Sequence, residues 1–135
     1  MYTGKAQDYL MRARYANIRI KALDEEVRRI RARLEGRASL VTGMPRGGGS
    51  DWTNLVMRIC EIEREMEDVE AVKAEVHRVI SAVEDERYRT VLMLKYLRGR
   101  LWRQIADEMY CDIRTATRWH GRALQRVEEI LDGKA

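Results

Sequence analysis

Phenylalanine is absent from this 135-residue chain and proline occurs once. With aromatic residues at only 7%, β-sandwiches and barrels lack the side chains that usually pack them, so strands are not expected. No apolar run approaches the ~20 residues that cross a bilayer, and no apolar h-region follows MYTGKAQDYLMRAR. No membrane association is therefore expected, and the location is read as cytoplasmic. The two cysteines, Cys60 and Cys111, lie far apart with no CxxC or Cys/His cluster. That argues against a zinc site and for plain core or flank thiols in a reducing compartment.

Catalytic patterns are equally scarce. His77 and His120 fall on separate helical runs, with no Ser or Cys nucleophile pattern and no paired carboxylates on a defined loop, so no enzymatic activity and no cofactor are expected. The acidic IEREMEDVE stretch spreads its carboxylates around a helix, the pattern of a solvated face rather than a metal site. The Gly-rich GMPRGGGSD has no preceding strand and no GK[ST], so it is not a phosphate loop.

What is present is charge, 36% of all residues, in the Ala, Leu, Arg and Glu-rich composition of long helices. The net charge of +4 hides a segregation. Residues 1–50 carry 11 basic and 5 acidic side chains, residues 51–86 carry 4 and 11, and residues 87–135 carry 11 and 6. Complementary signs on the first two segments predict that they face each other, leaving the basic third for a polyanionic partner.

Small and apolar residues recur at three-four spacing from Ala6 through Ala13, Ile20, Val27 and Leu34, and again from Leu55 through Ile62, Val69, Val76 and Val83, broken only by Lys73. Two such seams predict an antiparallel, coiled-coil-like hairpin over 1–84. Gly36 is read as the end of the first helix and Asp51 or Thr53 as the cap of the second; 36–52 is read either as a slack tether, which would also allow pairing between chains in a homodimer, or as a contact or hinge element whose Arg37 and Arg46 meet a partner. Residues 85–135 form the second expected domain. A helix beginning at Glu84–Glu86 and stopped by Gly99 precedes two more, Trp102–Met109 and Ile113–Leu131, separated by only Tyr110, Cys111 and Asp112. That spacing is a helix-turn-helix.

In it, Ala106 is the small residue at the crossing, Ile105 and Met109 are anchors, and Asp112 caps the second helix. A helical wheel from Ile113 gathers Ala116, Trp119, Ala123, Val127 and Ile130 on one side. Arg114, Thr117, Arg118, Gly121, Arg122 and Gln125 fall opposite. Forked guanidiniums suit guanine edges and phosphates, and a hydroxyl suits phosphate, so this face is matched to a DNA major groove. The candidate DNA-binding residues are Arg103, Gln104, Arg114, Thr115, Thr117, Arg118 and Arg122.

Residues Tyr88 to Val127, YRTVLMLKYLRGRLWRQIADEMYCDIRTATRWHGRALQRV, resemble the C-terminal DNA-binding region of bacterial sigma factors in the LxLKYLxG ending, the QIA element, the Thr115–Arg118 core and the closing RAL. With the coiled-coil-like N-terminal half and the SDWTN connection, the whole resembles phage-encoded transcriptional regulators of the ArpU and RinA type. The resemblance implies a regulator of phage or prophage late genes in a bacterial host cell, with double-stranded DNA and RNA polymerase as partners. Two positions depart from it: Tyr110 stands where the turn usually holds glycine, and Leu101 where Ser or Thr usually caps the first helix. The alternatives are the DNA-recognition small subunit of a phage packaging terminase and a non-catalytic coiled-coil interaction protein.

Overall fold

A computed structural model of the chain describes residues 4–40 and 48–133, with 37–40 and 48–50 as backbone only. The fold is all-α, and the described residues contain no strand. Helix α1 spans Lys5–Leu40, α2 Gly48–Ser81, α3 Glu86–Leu92, α4 Trp102–Glu108 and α5 Ile113–Leu131; α3 runs on into a π-helical turn, Met93–Leu97.

Two boundaries differ from the sequence reading. Helix α1 passes Gly36 and ends at Leu40, and α2 begins at Gly48, ahead of Asp51. A single exposed glycine costs a helix only about 1 kcal/mol relative to Ala, which the helix-forming residues of RASL offset. Of the 36–52 connection, residues 41–47 lie outside the described residues.

The chain divides into two compact units, one of residues 18–70 and one of 1–17 with 71–135. In the first, Val27 and Ile30 of α1 bury against Ile59 and Ile62 of α2, flanked by Leu23, Leu34, Leu55 and Met66. These are the seam positions. The opposite charges of the two helices meet as expected, Arg19 with Glu65 at 2.7 Å, Arg58 with Glu26 at 3.0 Å and Arg31 with Glu63 at 3.4 Å. All six side chains are exposed enough that the pairs fix register more than they stabilise. Cys60, expected as core or flank, is exposed.

In the second unit, the first turns of α1 and the last turns of α2 build one core with the C-terminal helices. Ala6, Leu10 and Ala13 of α1 and Val76 and Ile80 of α2 join Val91, Leu92, Tyr96, Ile105, Ala116, Ala123 and Val127, all fully buried. Asp85 starts α3 by accepting from the Arg87 and Tyr88 backbone N–H groups. Asn17 of α1 donates to the Leu97 carbonyl at 2.6 Å, satisfying an acceptor at the end of the π turn. Gly99, at φ 66, supplies the left-handed residue that ends this segment, as its position predicts.

Candidate nucleic-acid interface

The turn between α4 and α5 is a Schellman motif with an unusual occupant. The Cys111 N–H donates to the Ala106 carbonyl at 3.0 Å and the Tyr110 N–H to Asp107 at 3.3 Å, the two bonds that close such a cap. The left-handed residue is Tyr110, at φ 54 and 96% exposed. A side chain with a Cβ pays roughly 1 kcal/mol or more for that conformation, and an exposed ring recovers none of it by burial. Tyr110→Gly is expected to raise the unfolding midpoint modestly, by the strain relieved less the extra freedom of the unfolded chain, about 0.5–1 kcal/mol. Chemical denaturation checks it.

Both helix starts are held locally. Leu101 has no side-chain acceptor, and the Gln104 amide oxygen instead accepts from the Leu101 backbone N–H at 2.9 Å, the return half of a capping box. Asp112 caps α5, its carboxylate accepting from the Thr115 N–H at 2.7 Å. The Thr115 hydroxyl first, then its N–H, with Arg118 and Arg114 nearby, holds this carboxyl below the usual range.

Helix α5 is cleanly two-sided. Ala116, Ala123, Leu124 and Val127 are buried and Trp119 and Ile130 half-buried, whereas Arg114, Thr117, Arg118, Gly121, Arg122 and Gln125 are exposed. The Arg87 guanidinium lies 5.6 Å over the Trp119 ring, fixing the inner face to the start of α3. On α4, Arg103 is exposed. Arg103, Arg114, Arg118 and Arg122 make no ion pair among the described residues, while Arg12, Arg19, Arg28, Arg31 and Arg58 of α1 and α2 are each matched to a carboxylate. Arg87, Arg100 and Arg126 are paired with Asp85, Glu108 and Glu129, so the unpaired positive charge of α5 is that of Arg114, Arg118 and Arg122.

The sequence-derived residues do not all face outward with free groups. Thr115 is half-buried and engaged at the Asp112 cap. Thr117 is exposed, but its hydroxyl donates back to the Ile113 or Arg114 carbonyl, each at 3.0 Å, so its methyl and oxygen lone pairs are what it presents. Gln104 is exposed with its oxygen at the α4 cap, leaving its NH₂ as the available donor. Arg118 and Arg122 rim one open depression on α5.

Behind this face sits His120. Its Nε2 lies 2.6 Å from the Tyr96 hydroxyl, its ring stacks on Tyr96 at 5.7 Å, and Trp102 meets it edge-on at 5.0 Å. Lys95 lies 4.6 Å over the far partner, Trp102. Burial first, and the Lys95 charge second, lower the imidazole pKa from 6.5 to about 4. Neutral at ordinary pH, it shares a hydrogen bond with the Tyr96 hydroxyl and ties α5 to the π turn and to α4. The sequence suggests that His120 lines the edge of a helix contact or reaches a phosphate; its partners Tyr96 and Trp102, on other helices, are not marked by any local pattern.

The sequence profile of the family described as "Protein of unknown function (DUF1492)" matches residues 37–128. No curated protein and no solved structure matches the chain. The chain belongs to this family.

Proposed function

We propose that this member of the family is a sequence-specific DNA-binding transcriptional regulator, non-enzymatic, that lays α5 in the major groove of double-stranded DNA. The observation that carries this reading is the face of α5 itself. Arg114, Arg118 and Arg122 are exposed and make no ion pair among the described residues, immediately after an Asp-capped turn on a helix whose other side is buried. Arg12, Arg19, Arg28 and Arg31 of α1 each have a carboxylate neighbour, which these three arginines of α5 lack among the described residues. Arg103 at the start of α4 adds a phosphate donor of the kind the first helix of a helix-turn-helix supplies. The resemblance to sigma-factor C-terminal regions and to ArpU and RinA type regulators supports control of phage or prophage late genes in the bacterial cytoplasm, with RNA polymerase as a second partner. Binding of duplex DNA whose affinity falls linearly with log salt tests the reading; affinity indifferent to salt contradicts it.

The proposed regulator works as a homodimer through its N-terminal helices. In the unit of residues 18–70, Trp52, Val56 and Met57 stand exposed on α2. Arg29 and Arg33 of α1 and Glu67 and Asp68 of α2 have no ion pair among the described residues. A second hairpin laid antiparallel would cover the apolar positions and match those charges. Light scattering is expected to give twice the chain mass, and Trp52→Glu with Val56→Glu to give the monomer mass.

A further inference from the structure

We infer that α1 takes part in the nucleic-acid interface, and that Gln7 with Arg118, Arg122 and Gln125 forms a seat for a DNA phosphodiester. The inference rests on the DNA-binding reading above and extends it to a residue more than a hundred positions away in sequence. Gln7, exposed on the first turn of α1, lines one open depression together with Arg118, Gly121, Arg122 and Gln125 of α5.

Three features fit the seat to an anion. Two guanidiniums one helical turn apart point from the same face, and neither is neutralised by an ion pair among the described residues. Gly121 stands between them, and a Cβ built there meets nothing within 4 Å, so the depression is open to a ligand down to the helix backbone. The amides of Gln7 and Gln125 supply neutral N–H donors beside the two cations, and a tetrahedral phosphate oxygen accepts from both kinds. No carboxylate lines the depression to oppose a negative ligand. The position also suits the duplex geometry. With the N-terminal part of a recognition helix among the base edges, its later turns run past the sugar-phosphate backbone flanking the groove. Arg122 and Gln125 lie on those later turns.

Gln7 is held there by packing that its neighbours provide. Ala6 and Leu10 are fully buried in the shared core, and Lys5 pairs with Asp132 beyond the end of α5. The first turns of α1 are therefore part of the DNA-facing surface and not only of the hairpin.

The test is fluorescence anisotropy on a mixed-sequence duplex of about 30 base pairs at several salt concentrations, because phosphate contacts register on any sequence. Gln7→Glu places a carboxylate in the seat and is expected to weaken binding about tenfold near 0.1 M salt. Arg122→Ala is expected to weaken it similarly and to lower the slope of log affinity against log salt by about one. Arg122→Ala should keep the wild-type unfolding midpoint, since its side chain is exposed and makes no ion pair among the described residues, and the midpoint of Gln7→Glu is measured beside it so that binding is compared between folded chains. If the wild-type chain binds with a steep salt dependence but either variant binds as the wild type does, the seat is overturned and the α5 reading stands. If the wild-type chain shows no salt-dependent binding at all, both are overturned.

Discussion

Acidification from pH 7 to about 4 is expected to weaken the fold by about 3 kcal/mol through His120 alone, a large share of the stability of a domain this size. The imidazole pKa is lowered from 6.5 to about 4 by burial and by Lys95. A base whose folded pKa lies below its unfolded value favours the fold when neutral, so its contribution is whole above pH 6.5 and is lost as pH falls toward 4. Asp112, lowered by the Thr115 hydroxyl first, loses its capping contribution further down, as its carboxyl is protonated. His120→Gln keeps a hydrogen-bond partner for the Tyr96 hydroxyl but does not titrate. Denaturant melts across this range should show the wild-type midpoint falling between pH 6.5 and 4 and the variant's midpoint nearly flat until the carboxylates protonate. Parallel curves would mean that His120 is not the group that titrates.

Replacing Arg114 and Arg118 together by alanine is expected to weaken DNA binding about a hundredfold or more, with little change in stability. A forked contact of Arg114 to a base edge is worth ~1–3 kcal/mol and a charge-assisted contact of Arg118 to a phosphate ~1.5–3 kcal/mol, and neither side chain has an ion-pair partner among the described residues whose loss would destabilise the fold. Arginine and lysine separate charge from geometry here. Arg114→Lys keeps the charge, so the salt slope should persist, but it cannot bond a guanine edge with two parallel donors, so discrimination between sites should narrow. Wild-type affinity in the double alanine variant would favour the reading of the C-terminal helices as structural only.

Much of the architecture was legible because periodicity carries it. The seam from Leu23 to Leu34 and its partner from Leu55 to Met66 pack together in the structure, and the inner side of α5 buries the sector drawn around Ala116 and Ala123. Asp112 was readable as a cap because a carboxylate before Ile113 has one obvious use. Three things were not legible. Gly36 and the glycines at 48–49 suggested breaks where helices continue, since glycine lowers helix propensity without forbidding it. The π turn over Met93–Leu97 has no period of its own in the sequence, and with it the Tyr96–His120 contact was hidden. Gln7 could not be placed near α5, because no local pattern encodes the approach of residue 7 to a helix more than a hundred positions away. On α4 and α5, sequence spacing identified which residues face outward except Thr115, which is half-buried at the Asp112 cap, and did not show that Thr117 and Gln104 already serve the backbone.

The most direct test of the central claim is selection of duplex fragments from bacterial and prophage genomic DNA by the full chain at fixed salt, followed by guanine-N7 methylation interference on the fragments retained. Recovery of a defined site whose binding is blocked by major-groove methylation, with the block relieved at one position in Arg114→Ala, is the expected result. Fragments retained without a common site, or a site insensitive to N7 methylation and to that substitution, would contradict major-groove reading by α5.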